Sequence, residues 1–171
     1  MATIRTATSD DLPLVLAFIR ELAEYERLSH DVTATEEGLR TALFGERPGA
    51  EVLLAFEGDE PAGFAVFFHN FSTFVGRRGL YLEDLFVRPA MRRCGIGKQL
   101  LRHLAGIARD RGCGRFEWTV LDWNAPAIAF YRRLGARVLE DWRVCRMDAA
   151  GIARLADGLE AGAAPRSAPA A

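Results

Sequence analysis

Residues 80–98 read LYLEDLFVRPAMRRCGIGK. Leu80 to Val87 is a run of large apolar residues interrupted only by Glu83-Asp84, and Arg88-Pro89 closes it, the pattern of a strand. Gly95 and Gly97 follow. Beyond them Leu100, Leu101, Leu104, Ile107 and Ala108 recur at helical spacing, so Gly97 to Arg111 predicts an amphipathic helix. Upstream, Glu51–Glu57 and Gly63–Phe74 read as strands joined by the turn GDEPAG at 58–63, and Gly76–Gly79 turns the chain into Leu80. Nearer the N-terminus, Thr3–Ala7 is short enough for an edge strand. Thr8–Asp11 opens a helix that runs to about Tyr25, and the capping box Thr33-x-x-Glu36 announces a second. Downstream, Arg115–Leu121 predicts a strand. Asn124 caps a helix with Pro126 in its first turn and Gly135 as its stop, and Arg137–Met147 predicts a last strand. The order β-α-α-β-β-β-α-β-α-β implies an α/β fold: one domain over residues 1–156, with a central mixed, mostly antiparallel sheet flanked by helices. From residue 157 the composition turns to Gly, Ala, Pro and Ser, which predicts a flexible tail over 157–171.

The 171 residues carry 22 Lys+Arg against 23 Asp+Glu, a formal net charge of −1 that excludes a bulk electrostatic nucleic-acid binder. No run of 18 apolar residues predicts a membrane span. The opening MATIRTATSDD has no hydrophobic region of the signal-peptide kind, so a cytoplasmic setting is expected. Three scattered cysteines, Cys94, Cys113 and Cys145, give neither a disulfide framework nor zinc-ligand spacing, and no metal is expected. Lys98 is the only lysine, so Schiff-base chemistry would rest on it alone.

A glycine loop ahead of a helix lets the backbone approach a ligand closely, and the helix start offers free N–H groups and a positive dipole end. A phosphate or pyrophosphate fits such a place; a plain strand-to-helix turn also fits it. A Walker loop does not match, because Gly97-Lys98 is followed by Gln99. A dinucleotide fingerprint does not match either, because its third glycine would fall at Leu100. In a regular strand Asp84 would share a face with Leu80, Leu82 and Phe86, a costly place for a charge. A β-bulge at Glu83-Asp84 would re-aim one side chain; a solvated sheet edge is the alternative. Tyr131 falls on the helical face of Ala127, Ile128 and Leu134, the position of a core tyrosine with its hydroxyl at the rim.

Arg92-x-x-Gly95-x-Gly97 after LYLEDLFVRP resembles the acyl-CoA loop of the GNAT acetyltransferase superfamily. DWNAPAIAFYRRLGA at 122–136 is similar to its second signature. With YLEDLFV and ELAEYE, the resemblance extends to the diamine (spermidine/spermine-type) and thialysine-acetylating branch, over roughly residues 3–148. It implies a splayed sheet that admits acetyl-CoA. The backbone of Leu85, Phe86 and Val87 would hold the pantetheine arm. Arg93, Cys94, Gly95, Ile96, Gly97 and Lys98 would cradle the pyrophosphate, and Asn124, Ala125, Pro126, Ala127 and Tyr131 would line the far side. Arg93 stands where polyamine members carry glycine, and Cys94 replaces an aromatic.

The same resemblance makes Tyr131 the general acid for the departing thiolate and Glu83 the base, acting through water. Tyr25, Glu26, Glu83, Asp84, Glu117, Trp118 and Thr119 would bind the acceptor, with Asp122 adding negative charge. The implied reaction is direct transfer of acetyl to a small cationic amine: a diamine, a polyamine or a lysine- or thialysine-like acceptor. A protein or peptide N-acetyltransferase and a non-catalytic acetyl-CoA sensor are the alternatives. A homodimer is also implied, built in part by residues 63–74 and the last strand, with neither nucleic acid nor membrane as partner.

Overall fold

The computed structural model describes residues 2–158. The chain divides into two compact units, one ending at Leu121 and the other beginning at Asp122.

The first unit is built on a five-stranded sheet in which strand order follows chain order. Its strands are β1 (Thr3–Thr6), β2 (Glu51–Glu57), β3 (Glu60–Ser72), β4 (Arg77–Val87) and β5 (Phe116–Trp118). The first four are antiparallel and β5 runs parallel to β4. Three helices accompany them: α1 (Leu12–Glu26), α2 (Glu36–Phe44) and α3 (Ile96–Asp110). The start of α1 is tied to β1 through Asp11. Its carboxylate accepts from the Thr8 N–H at 2.8 Å and from both Nη groups of Arg5 at 2.7 Å. The cap of α2 is Thr35, not Thr33. A capping hydroxyl reaches an amide about three residues on, and Thr35 Oγ1 accepts from the Gly38 N–H at 3.1 Å. From Thr33 the same reach ends at Glu36, which is already the first helical residue.

One face of the sheet packs on α1. Phe18 is fully buried, stacked on Phe64 at 5.3 Å between centroids and edge-on to Phe86 at 6.3 Å. Val52, Leu54 and Val66 complete that cluster. The buried stripe Ile96, Leu100, Leu101 and Leu104 of α3 packs against β2, β3 and β4.

A β-bulge breaks β4. Leu82 pairs with Phe67 and Asp84 with Val66, which leaves Glu83 without a partner on β3. The extra residue reverses the alternation. Leu80 and Leu82 share the face of Phe67, whereas Asp84 and Phe86 share the face of Val66 and Phe64. The bulge takes Asp84 off the face of Leu80 and Leu82 but leaves it half-buried on the face of Val66 and Phe86, so its charge remains costly there. The sheet also splays. β5 pairs with β4 only from Leu80 to Leu82, so among the described residues no strand lies beside the edge from Glu83 to Val87 on that side.

The second unit holds α4 (Ala125–Arg133) and α5 (Ala149–Ala156). Asn124 caps α4, its Oδ1 accepting from the Ala127 N–H at 3.3 Å, and Gly135 takes the left-handed φ of +91° that stops it. The strand expected over Arg137–Met147 is absent, and β5 is the last strand of the sheet. A stretch rich in apolar residues makes a strand only when a neighbour completes the ladder. No described strand pairs with this one, and Trp142 and Val144 are exposed. The fifth helix follows instead, with Asp148 Oδ1 accepting from the Gly151 N–H at 2.7 Å. Of the expected tail, Asp157 and Gly158 form a turn; residues 159–171 lie outside the described residues.

Candidate active site

The glycine loop lies between a single 3-10 turn at Pro89–Met91 and the first residue of α3. Gly95 sits at φ +81°, in the left-handed region where a side chain is strained, and serves as N-cap without a side chain to offer. The Gln99 N–H bonds the Gly95 carbonyl, so the amides of Ile96, Gly97 and Lys98 precede the first helical bond and are the donors this helix start offers. Ile96 buries its side chain and can meet a ligand only through its backbone. Arg93, Cys94 and Lys98 are exposed. Arg93 also takes a left-handed φ, +68°, uncommon for a residue with a Cβ.

Beside the loop lies the open edge of β4. The Arg88 N–H bonds the Ala62 carbonyl across to β3. Alternation then turns the backbone groups of Phe86 toward β3 and those of Leu85 and Val87 toward the open side. Phe86 buries its ring with Phe18, so it supports the edge, while Leu85 and Val87 present it. Such an edge, next to free helix amides, suits an extended chain of amide groups ending in phosphates.

At the bulge three carboxylates gather. Glu83 is exposed, while Asp84 and Glu26 are half-buried. Burial, with Glu83 and Glu26 nearby, pushes the Asp84 carboxyl up to about 6. Burial also raises Glu26. Charges that repel one another in this way favour a cation between them.

Two arginines outside the expected set hold α1 against the exit of β4. Arg88 donates from Nε and Nη2 to the Glu21 carboxylate, at 2.9 and 2.7 Å, and lies 4.8 Å over the Phe18 ring. Arg92 lies 4.5 Å over the Tyr25 ring and donates from Nε to the Val87 carbonyl at 2.9 Å. Arg92 opens the glycine motif, the signal by which its role could have been sought.

Glu117 is engaged elsewhere. It pairs with Arg115 at 2.7 Å and accepts from Asn70 Nδ2 at 2.9 Å, so its charge is neutralised on β5. Trp118 packs at 5.0 Å against Phe116, and Thr119 is exposed just past the strand. The second unit carries Asn124, Ala125, Pro126, Ala127 and Tyr131 on or beside α4. Tyr131 is half-buried, with its ring 5.4 Å from Phe130, and Asp122 is exposed. Among the described residues, no helix is long and apolar enough to cross a membrane, and no group of three or more His, Cys, Asp or Glu is placed to hold a metal.

Comparison with known proteins bears on this arrangement. Residues 16–136 match the model of the acetyltransferase (GNAT) family. The chain is 42% identical over 157 residues to a thialysine N-epsilon-acetyltransferase of Caenorhabditis elegans, covering 90% of this chain and 96% of that one. It is 35% identical over 189 residues to an L-ornithine N5-acetyltransferase of Arabidopsis thaliana, covering 84% and 83%. Among solved structures, an integron cassette protein from the mobile metagenome of V. cholerae matches with a TM-score of 0.75 at 34% identity, covering 91% of this chain and 97% of the other. The splayed edge, the glycine loop and these likenesses agree: the chain belongs to the GNAT acetyltransferase family and is an acyltransferase.

Proposed function

We propose that the protein moves acetyl from acetyl-CoA to the primary amine of a small cationic acceptor: a diamine, a polyamine, or an ornithine-, lysine- or thialysine-like amine. The observation that carries this reading is the gathering of Glu26, Glu83 and Asp84 at the bulge, beside the open edge of β4. The names of the thialysine and ornithine acetyltransferases among the relatives point the same way.

In this reading the amides of Ile96, Gly97 and Lys98, with the backbone of Arg93 to Gly95, receive the pyrophosphate. The backbone of Leu85 and Val87 receives the pantetheine arm, and an N–H there polarises the reacting carbonyl. Asn124 to Ala127 line the far side. Acetyl-CoA supplies an activated thioester; the chain supplies position and proton traffic. Glu26 and Asp84 draw in the ammonium. Glu83, solvated at the bulge, takes its proton through water and frees the lone pair. Tyr131 gives a proton to the departing sulfur. Tyr25 and Trp118 flank the acceptor. A cytoplasmic homodimer completes the reading, with the exposed Phe71, Phe74 and Val75 of the β3–β4 hairpin as its contact; light scattering on the purified chain checks it.

The test is thiol release from acetyl-CoA across a panel of spermidine, putrescine, ornithine, thialysine and a lysine-containing peptide. Turnover on the free amines above the peptide is expected. Faster turnover on the peptide would move the assignment to protein acetylation, and no turnover on any would remove catalysis.

A further inference from the structure

Arg88 and Arg92 stand on either side of the 3-10 turn Pro89–Met91 and reach back to the same helix. Arg88 takes Phe18 and Glu21; Arg92 takes Tyr25. Those positions run along one stripe of α1, which the two guanidiniums hold to the exit of β4. Arg92 does more than fasten. Its Nε bonds the Val87 carbonyl, on the open edge of the sheet. Its ring partner, Tyr25, adjoins Glu26. Its own backbone continues directly into Arg93 and Gly95, both in left-handed conformations. One side chain therefore touches the edge of β4 and the last turn of α1, and its main chain begins the glycine loop.

We propose that Arg92 is a positioning residue that couples the donor loop to the acceptor site: seating the loop on a pyrophosphate fixes the guanidinium, and the guanidinium fixes Tyr25 and Glu26 where the ammonium arrives. The inference rests on the reading above, with the donor at the loop and the acceptor at the carboxylates. An arginine suits the task because its planar fork stacks on a ring while Nε donates in the plane. The point charge of a lysine does one or the other. Coupling of this kind is reciprocal and is read as a ratio of affinities.

The experiment is calorimetric titration of the fastest amine of the panel into the full-length protein, with and without saturating CoA. Wild type should bind the amine about 5-fold or more tightly with CoA present, at the lower end of ordinary coupling. Arg92→Met should bring that ratio to about one, and Arg92→Lys should fall between. Tyr25→Leu should match Arg92→Met, and the double variant should add nothing further. Should Arg92→Met fail to fold, Tyr25→Leu, which removes an exposed ring, carries the same readout. A merely structural loss would weaken both titrations and leave the ratio intact. An undiminished ratio in folded Arg92→Met or Tyr25→Leu, or a ratio of one in wild type, overturns the proposal. If Glu26→Gln and Glu83→Gln leave amine affinity untouched while Arg92→Met and Tyr25→Leu both abolish the ratio, the acceptor assignment to the carboxylates falls and the coupling stands through Tyr25 alone.

Discussion

Replacing Asp84 by Asn should make the free protein more stable and worse at holding its acceptor. Asp84 is half-buried beside Glu83 and Glu26, and its carboxyl stands at about 6 against an ordinary 3.8. At about 1.4 kcal/mol per pH unit, the ionised form costs the fold about 3 kcal/mol. The sign follows from proton binding. Between pH 4 and 6 the folded chain keeps a proton that the unfolded chain releases, so stability falls as the pH rises through that window. Above it the whole penalty is present, and below it none. An asparagine never ionises, and it also removes a charge that raises its neighbours. The variant should therefore gain about 1–3 kcal/mol at pH 8, which for a chain of this size raises Tm by roughly 2–10 °C. The advantage should close toward pH 4. Urea unfolding of both proteins from pH 4 to 8, without amine or CoA, measures it. A variant no more stable than wild type at pH 8, or a gap that does not change with pH, would refute the reasoning.

The remaining expectations concern the donor site, the acid and the first helix. Gly97→Val places a branched side chain where the pyrophosphate must meet the backbone, and calorimetry should find CoA binding abolished in a folded protein. Tyr131→Phe keeps the ring and loses the proton, so kcat should fall by about 10²–10⁴-fold with CoA affinity nearly unchanged. Asp11→Asn breaks the bidentate pair with Arg5 and weakens the cap at Thr8, costing about 1 kcal/mol in urea. Because that pairing holds the Asp11 carboxyl well below the ordinary range, its contribution is complete above about pH 4 and is lost as the pH falls further.

Much of this was legible in the chain. The stripe Leu100, Leu101 and Leu104 announced α3, and the Gly95–Gly97 spacing announced the loop, because both patterns are local. Glu83-Asp84 pointed to the bulge for a different reason: a charge in the middle of an apolar run is an inconsistency that a bulge or a solvated edge can relieve, and the strand has the bulge. What escaped depends on partners distant in sequence. Arg137 to Met147 carries enough large apolar residues to read as a strand, but composition says nothing about whether a neighbour is there to pair with. Glu117, expected at the acceptor, pairs with the nearby Arg115 and also accepts from Asn70, a partner 47 residues upstream that its own stretch does not announce. The contacts of Arg88 and Arg92 went unread because nothing local shows that Phe18 and Tyr25, a long way upstream, lie beneath their guanidiniums.

The bulge separates what the sheet needs from what the reaction needs. Glu83 occupies no rung of the ladder between β3 and β4. Were it deleted, Leu82 would still lie opposite Phe67 and Asp84 opposite Val66, with Leu85 and Val87 still turned to the open edge. Substitution, which is usually the gentler change, would here disturb folding no less than removal. A chain one residue shorter would keep its register, its core and its donor loop, and would lack only the carboxylate assigned to receive the proton. The sheet carries Glu83 as a passenger, so a loss of turnover in a chain lacking it, with stability unchanged, would be the signature of the proposed role.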